Sequence, residues 1–256
     1  MKTDYSGVFR HNAAVAKYDE VVYAEDSYAF EINRRQRSWL RALVAAEFGA
    51  GRTTQHDFAC GTGRAIESLA GAVRAAHGYD SAEPMLARAA AKGLDAQLHL
   101  IEEAGASPVP ATTAPPSIVT VFRLFLNVSP AVRDRAVAFA GAILATADSG
   151  VLVIENHGNR RSLRHFARRP RRGSDAWFNE LSTHEVKQCL DRQGFVLESI
   201  HGFALLPKGA YRVRWLRRIA GAIDETASRL PFLAPVSTNV VYVARRRAEA
   251  TSSRSA

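Results

Sequence analysis

The stretch Asp57-Phe58-Ala59-Cys60-Gly61-Thr62-Gly63-Arg64 decides the fold of this chain. It joins a short strand, predicted over residues 56–59, to a helix predicted over residues 64–74. Small residues at positions 59, 61 and 63 let a ligand approach the backbone, because a larger side chain would collide or forbid the required φ. The first turn of the helix offers N–H groups without intrahelical partners. The stretch therefore predicts a strand–turn–helix unit with a binding site at the carboxyl end of the strand.

A carboxylate follows the second predicted strand, residues 77–80. Asp80 lies seventeen residues beyond Gly63, and a carboxylate at this strand end can accept two hydrogen bonds from ribose hydroxyls. The loop does not match the dinucleotide fingerprint Gly-x-Gly-x-x-Gly, because Ile66 stands at the third glycine position counted from Gly61. The chain also lacks the Gly-x-x-x-x-Gly-Lys-Ser/Thr phosphate-binding loop. The pattern favours a nucleoside ligand other than a dinucleotide.

Strands and helices alternate on both sides of this loop. Strand 117–122 is β-branched and apolar on both faces, which is typical of a central parallel strand. Four strands alternating with helices imply right-handed crossovers and a doubly wound parallel α/β sheet. The other elements predicted here are a helix over 15–47, a helix capped by Ser81 and ended by Lys92-Gly93, a strand over 97–101, a loop over 104–116, a helix over 131–147 and a strand over 151–155.

The C-terminal third continues the same domain. Ser182-Thr183-His184-Glu185 is a capping box, and it opens a helix that Gly194 closes. Residues 195–203 and 239–244 are predicted strands. Between them, residues 211–230 are predicted to form a basic amphipathic helix.

The composition is that of a globular protein, with 47% hydrophobic and 23% charged residues. Cys60 and Cys189 lie far apart in sequence and form no metal-ligand spacing, so both are predicted to be reduced thiols. The chain begins without an apolar segment of signal-peptide length, and no run of about 18 apolar residues could span a membrane. These features predict a cytoplasmic protein.

The net charge of +9 is concentrated in the second part of the chain. Residues 158–256 hold 19 Lys/Arg and 8 Asp/Glu, whereas residues 1–157 hold 15 and 17. Such a field favours an anionic partner: a phosphorylated small molecule, a lipid headgroup surface or a nucleic acid. An arginine-rich surface that serves only solubility explains the same composition equally well.

Two motifs carry a resemblance to a known family. Asp57–Arg64 resembles the glycine-rich motif of class I S-adenosylmethionine-dependent methyltransferases, usually written Asp-x-Gly-x-Gly-x-Gly. Residues 78–86, Gly-Tyr-Asp-Ser-Ala-Glu-Pro-Met-Leu, match that family's second-strand motif. The resemblance extends loosely over about residues 15–244, with one departure in the motif, Ala59 in place of the first glycine.

The resemblance implies a fold and a division of the chain. The fold is a doubly wound, mostly parallel seven-stranded sheet with helices on both faces, an N-terminal helical cap and a helical insertion before a last, antiparallel strand. The expected segments are the cap over 1–50, the methyltransferase domain over 51–244 with its insertion at about 208–232, and a disordered basic tail over 245–256.

The resemblance also implies S-adenosylmethionine as cofactor and roles for the matching residues. The backbone of Ala59, Gly61 and Gly63 would pass the methionine end of the cofactor, and Asp57 would orient its amino group. Asp80 would hold the ribose. Cys60, Thr62 and Ser81 complete this part of the predicted binding set.

The adenine and the methyl group involve residues further along the chain. Met85 would pack on the adenine, and Glu102 or Glu103 would lie near the adenine amino group. Phe122 and Arg123, at the carboxyl end of the fourth strand, would face the methyl donor. The acidic residue that the family usually carries at the start of that strand is missing, because Pro115-Pro116-Ser117 stand there.

Structural roles compete with these assignments. Asp57 could cap the turn, and Asp80 could belong to the start of the following helix. Met85 packs in the core under either interpretation. Cys60 is better explained as a small buried side chain than as a nucleophile.

Methyl transfer from a sulfonium is an in-line displacement, so alignment supplies much of the acceleration and a hydroxyl acceptor also gains from a general base. The candidate bases are His157, just past the fifth strand, and His11 or Tyr18 in the N-terminal segment. His157 is favoured because carboxyl ends of parallel strands line the ligand crevice, although a structural role explains a lone histidine too. No metal site is predicted, since His184-Glu185 lacks the second histidine of a zinc helix.

The acceptor itself is not encoded in a recognisable motif. The arginines at 123, 160, 161 and 164 could form an anion pocket or a solvated face. Helix 211–230 could cover the substrate, rest on an anionic membrane through Trp215 and its arginines, or simply pack.

Three functions fit the sequence. The leading hypothesis is methylation of a small-molecule acceptor, with O-methylation of a metabolite, sugar or lipid precursor favoured. A nucleic-acid methyltransferase is less favoured, because no Asn/Asp-Pro-Pro-aromatic motif follows the fourth strand. The third is a non-catalytic binding protein on the same fold, which a broken cofactor loop would indicate. The sequence does not predict the oligomeric state.

Overall fold

The computed structural model describes residues 27–163, 165, 180–211 and 214–248, with no side-chain detail for residues 208 and 214–216. The strands are β1 (Thr54–Phe58), β2 (Ala75–Asp80), β3 (Gln97–Leu100), β4 (Ser117–Val121), β5 (Gly150–Asn156), β6 (Phe195–Ala204) and β7 (Asn239–Arg246). The helices are α1 (Tyr28–Phe48), α2 (Arg64–Leu69), α3 (Glu83–Ala91), α4 (Pro130–Ile143), α5 (Thr183–Arg192) and α6 (Arg214–Ser228).

The strands form one seven-stranded sheet in the order β3-β2-β1-β4-β5-β7-β6. Strands β1 to β5 pair in parallel, whereas β7 is antiparallel to both β5 and β6. The sequence order of the strands changes direction between β1 and β4, which is the topological switch point of the sheet. Because β1 and β4 are parallel, their carboxyl ends lie side by side there. This is the crevice where open α/β sheets bind ligands. The predicted mostly parallel sheet and its antiparallel last strand are confirmed.

Helices cover both faces of the sheet. Every residue of β4 and β5 is buried, as a central strand covered on both faces requires. Ile118 and Val119 are successive residues of β4 and enter two different apolar clusters. The cluster of Ile118 contains residues of α1 and α2, and the cluster of Val119 contains residues of α4 and α5.

Several predicted boundaries are wrong. Helix α2 ends at Leu69 rather than residue 74, because Ala70 turns extended and Gly71 takes a φ of 73°. Ser81 does not cap α3: Ala82 precedes its first residue, and Pro84 stands in its first turn. Of the predicted helix 211–230, Tyr211 ends a 3₁₀ turn over Lys208–Tyr211 and α6 covers Arg214–Ser228, while residues 212 and 213 lie outside the described part.

Two residues of the predicted disordered basic tail, Arg245 and Arg246, belong to β7. Strand β7 runs to Arg246, and Arg245 donates to Glu198 Oε2 at 3.0 Å. Arg246 donates to the carbonyl of Gln193 at 2.5 Å. These contacts fix the first two residues of the predicted tail, while residues 249–256 lie outside the described part. The predicted helix start at residue 15 also lies outside it, since the described chain begins at Ser27, the N-cap of α1.

Among the described residues, no helix combines the length and the apolar content that crossing a membrane requires.

Candidate active site

In the loop between β1 and α2, every second residue from position 59 to 63 has a left-handed backbone conformation. Ala59, Gly61 and Gly63 have φ angles of 57°, 55° and 81°. Glycine adopts this conformation without steric cost, whereas alanine pays about 1–2 kcal/mol. Ala59 therefore holds local strain at the position where the related motif has its first glycine.

The two glycines of the loop have different environments. A Cβ added to Gly63 would lie 2.5 Å from Leu94 Cδ1, so this glycine is needed for packing against the chain that follows α3. A Cβ added to Gly61 would meet no protein atom within 4 Å. The space in front of Gly61 is thus open to a ligand.

Asp80 is turned toward this loop. Its Oδ2 accepts a hydrogen bond from the Gly61 N–H at 2.7 Å, and its Oδ1 accepts one from the Ala82 N–H at 2.8 Å. The Ser81 N–H is a third backbone donor to this carboxylate, so only part of its about four acceptor positions remains for a hydroxyl group. Burial raises the pKa of Asp80 above its usual value, against the effect of these N–H donors. Asp80 both shapes the loop and starts the turn into α3, which agrees with the predicted role at the start of the helix, while its contact with a ribose stays a prediction.

Asp57 lies one residue before the end of β1 and is 1% exposed. The Thr120 hydroxyl on β4 donates to its Oδ1 at 2.6 Å, which ties the two central strands together at the switch point. Burial raises its pKa to about 7, although the Thr120 hydrogen bond and the charge of Arg64 act in the opposite direction. Asp57 therefore titrates near neutral pH.

Among the other residues predicted to bind the cofactor, Cys60, Thr62 and Met85 are buried and Ser81 is half-buried. Cys60 and Met85 are 6% and 5% exposed, and burial raises the pKa of the Cys60 thiol, which agrees with a packing role. The Thr62 hydroxyl accepts from Lys92 Nζ at 3.2 Å. Ser81 is half-buried, directly after Asp80.

Glu102 and Glu103 follow β3, the neighbour of β2 in the sheet. Both residues are exposed, and the Glu103 carbonyl accepts from Arg135 at 2.9 Å. Their proximity to an adenine stays a prediction.

Phe122 and Arg123 follow β4, opposite the cofactor loop. The Arg64 guanidinium lies 5.3 Å from the centre of the buried Phe122 ring. Arg123 has a φ of 59°, a conformation that is uncommon for a bulky residue and that clusters at ligand sites. The strained positions 59 and 123 thus follow the two strands that flank the switch point.

A buried polar network, which the sequence analysis did not predict, borders the loop. Arg64 Nη2 donates to Glu155 Oε2 at 2.6 Å. Gln36 and Asn239 donate to the other Glu155 oxygen at 2.9 and 2.7 Å, and the Gln36 carbonyl oxygen accepts from Arg64 at 3.1 Å. Arg64 also donates to Asn33 at 3.1 Å. The network joins α1, α2, β5 and β7 at the carboxyl edge of the sheet.

Glu155 is ionised within this network. Burial alone raises its pKa, but the charges of Arg64, Arg123 and His157 outweigh burial and hold the pKa at about 2. The position of Glu155 near the carboxyl end of β5 is a signal in the sequence, because His157 and Arg123 are candidates for the same reason: each follows the carboxyl end of a parallel strand. The partners on α1 and β7 are distant in sequence and had no comparable signal.

The candidate bases and the arginine cluster are only partly described. His157 follows β5 and is half-buried, close enough to Glu155 to interact electrostatically. His11, Tyr18 and Arg164 lie outside the described residues. Arg160 forms an ion pair with Glu185 at 2.9 Å, so it is not an unengaged element of an anion pocket. No group of His, Cys, Asp and Glu within the described ranges has the arrangement of a metal site.

A separate depression of about 820 Å³ lies near the start of the strands. Its lining includes Arg52, Arg74, Pro116 and Asp148, which precede β1, β2, β4 and β5. It is therefore at the opposite edge of the sheet from the cofactor loop.

The sequence matches no protein-family model, and no curated protein is significantly similar to it. Solved structures, in contrast, match almost the whole chain. A Leishmania major S-adenosylmethionine-dependent methyltransferase has a TM-score of 0.62 and 13% identity, covering 94% of this chain and 81% of that one. The methyltransferase in the Haloferax volcanii complex with the Trm112 methyltransferase activator has a TM-score of 0.59 and 12% identity, covering 96% and 99%.

A third solved structure was determined with a product of the cofactor. Magnesium protoporphyrin IX methyltransferase from Synechocystis PCC 6803, with bound S-adenosylhomocysteine, has a TM-score of 0.54 and 12% identity, covering 84% of each chain. At such low identity these similarities establish architecture rather than substrate. The chain has the fold of the class I S-adenosylmethionine-dependent methyltransferases.

Proposed function

We propose that this protein is an S-adenosylmethionine-dependent methyltransferase with a small-molecule acceptor. One observation carries the proposal: the loop 59–63 leaves open space at Gly61, directly beside the Asp80 carboxylate. A fold alone does not define a function, but an adenosyl ligand needs this combination of accessible backbone and a ribose acceptor. The similarity to cofactor-dependent methyltransferases supports the same cofactor.

The residues of the site suit a cationic cofactor. Asp57, Asp80 and Glu155 are three buried carboxylates at the carboxyl edge, and an opposite charge stabilises their ionised forms. S-adenosylmethionine supplies an electrophilic methyl group when bound. Asp80 would accept the ribose hydroxyls, the backbone at Gly61 would pass the methionine end, and Asp57 would accept from the amino group.

We infer O-methylation as the favoured reaction, with His157 as the base. His157 lies on the same edge of the sheet as the loop, and the Glu155 carboxylate interacts with it electrostatically. A neighbouring carboxylate favours the imidazolium, which is what His157 becomes after accepting a proton from a hydroxyl. Arg123, beside the fourth strand, would help to orient the acceptor.

The basic half of the chain gives limited support to a nucleic-acid substrate. Arg160, Arg192, Arg245 and Arg247 form ion pairs with carboxylates of this chain. These pairs reduce the charge available to phosphates, so a small-molecule acceptor is the better interpretation.

The proposal is tested by blocking the open space at Gly61. Gly61→Ala places a methyl group where the cofactor would pass, and we expect its affinity for S-adenosylhomocysteine to fall about tenfold or more in calorimetric titration. Gly71→Ala is the matched control, since Gly71 has a φ of 73° and equally open surroundings away from the loop. Equal affinity of the two variants would remove the loop from the site.

A further inference from the structure

An exposed apolar surface lies on α6 and the 3₁₀ turn that follows it, Pro231–Val236. Ile219, Ile223, Leu230 and Phe232 are 51%, 44%, 38% and 73% exposed. Ile219 and Ile223 are four residues apart and therefore share one side of the helix. We call these four residues the outer face of α6, although Leu230 and Phe232 lie just beyond the end of the helix at Ser228. Large apolar side chains concentrated on one surface segment mark an interaction site more often than scattered ones do.

The opposite side of α6 is firmly attached to the domain, so the outer face is not explained by a loosely placed helix. Asp224 is 1% exposed and accepts from the N–H groups of Leu205 and Leu206 at 2.9 and 3.0 Å. The Tyr211 hydroxyl donates to Asp224 at 2.5 Å, and Arg35 of α1 lies 3.8 Å from the same carboxylate. These contacts fix the rotation of α6 and hold its apolar residues outward.

The segment that carries the outer face is basic in sequence, with six Lys/Arg and two Asp/Glu over residues 205–238. Both acids contact Arg35, since Asp224 is buried against it and Glu225 Oε2 lies 3.5 Å from Arg35 Nε; Glu225 also pairs with Arg229 at 3.4 Å. Arg218 is exposed, and it lies about 100° around the helix from Ile219. The outward side of this segment thus combines apolar side chains with net positive charge.

We propose that the outer face of α6 docks on an anionic membrane surface. Isoleucine, leucine and phenylalanine beside arginines on a surface helix are what binding at the headgroup–acyl boundary requires. Arginines next to such a face gain from the negative surface potential of anionic lipids, each by a modest amount. A nucleic acid would use the arginines but gain nothing from the four apolar side chains, so the membrane is the better match.

The docking surface is at the same edge of the sheet as the candidate active site. Helix α6 follows β6, whose last residue Ala204 pairs with Asn239, and Asn239 donates to Glu155. Membrane docking can nevertheless be tested separately from methyl transfer, because vesicle binding is measured without the cofactor. Loss of one property does not imply loss of the other.

Vesicle co-sedimentation of the full chain tests the proposal. We expect binding to vesicles of phosphatidylcholine mixed with phosphatidylserine, and much weaker binding to phosphatidylcholine alone. Phe232→Ser removes the most exposed anchor, and Arg218→Glu reverses a charge beside the face; each should lower the partition coefficient about tenfold. Binding by the wild type should also weaken as salt is added.

Matched controls come from other surfaces of the chain. Val109 is 88% exposed and Arg37 lies on the exposed side of α1, so Val109→Ser removes another exposed apolar side chain and Arg37→Glu makes the same charge reversal elsewhere. Both should bind vesicles like the wild type. The proposal is overturned if neither vesicle type binds, or if the controls lose as much binding as the test variants. A concentration-dependent dimer that Phe232→Ser abolishes would equally overturn it, because the face would then be an interface between copies.

Discussion

Individual residues at the switch point combine structural contacts with their proposed roles in ligand binding. Ala59 and Arg123 adopt left-handed conformations directly after β1 and β4, and such strain persists where a ligand site determines the backbone. Asp57 is a third case, because a carboxylate whose pKa is about 7 weakens the fold in its ionised form. Under the proposed function, a cationic group that donates to Asp57 accounts for an ionisable side chain at this buried position.

Asp57→Asn separates these two demands. The folded-state pKa is raised from 3.8 to about 7, so the stabilising protonated form is lost as pH rises through this range. The asparagine variant keeps an acceptor for Thr120 and cannot ionise. We expect it to unfold with a free energy about 1–3 kcal/mol higher than the wild type at pH above about 7, in thermal or urea denaturation.

The same substitution should weaken S-adenosylhomocysteine binding. Wild-type affinity should fall as pH drops below about 7, because protonation of Asp57 removes the negative charge that would pair with the cationic amino group. The variant should bind more weakly and lose this pH dependence. A variant that is more stable and binds as tightly as the wild type would assign Asp57 a purely structural role.

At the scale of elements, the Arg64–Glu155 network holds the cofactor loop to its surroundings. Both side chains are largely buried, with 12% and 1% exposure, and helices α1 and α2 meet strands β5 and β7 there. Removing one partner of a buried ion pair leaves the other charge uncompensated. The network therefore stabilises the relative position of four elements.

A double-mutant cycle measures this coupling. Glu155→Gln and Arg64→Gln should each lower the free energy of unfolding by about 2–4 kcal/mol, and the double variant should lose clearly less than their sum. Arg192→Gln breaks the exposed pair with Asp134 and should cost less than about 1 kcal/mol. Additive losses in the cycle would show that the pair does not act as a unit.

Three neighbouring strands carry a second polar arrangement. The rings of His56, His77 and His99 on β1, β2 and β3 stack at centroid distances of 5.1 and 5.6 Å. Burial, and then the charges of His77 and His99, lower the pKa of His56 from 6.5 to about 4. Between these values the unfolded chain binds the proton and the folded chain does not, so stability falls as pH decreases.

Replacing His56 tests this linkage. We expect the wild type to lose about 2 kcal/mol of stability at His56 between about pH 7 and pH 5. His56→Phe preserves a buried ring and removes the titrating group, so its denaturation midpoint should vary less with pH. Identical pH profiles for the two proteins would contradict the lowered pKa.

Features set by neighbouring residues could be predicted from the sequence, and features set by distant ones could not. The loop 57–64 and Asp80 are coded locally, by small residues and by a carboxylate at a strand end. The Glu155 partners Arg64, Gln36 and Asn239 lie between 84 and 119 positions away, so only the folded sheet brings them together. The residue type of Ser81 predicts that it caps α3, but Ala82 is the N-cap residue and the Asp80 carboxylate accepts from its N–H.

For the whole molecule, helix α1 connects the loop 59–63 to α6, which carries the proposed docking surface. Asn33 and Gln36 contact Arg64, while Arg35 between them contacts Asp224 of α6. One turn of a single helix thus contacts both α2 and α6. The described part of the predicted N-terminal cap therefore borders the candidate site.

The central claim is that the bend after β1 and the Asp80 carboxylate together hold an adenosyl cofactor. Calorimetric titration with S-adenosylhomocysteine tests it most directly, in the wild type, in Asp80→Ala and in Asp95→Ala, an exposed control. We expect one-site binding by the wild type and by the control, and a loss of about 2–3 kcal/mol in Asp80→Ala, which removes a charged hydrogen-bond acceptor. Absence of binding by the wild type, or unchanged affinity in Asp80→Ala, would contradict the account.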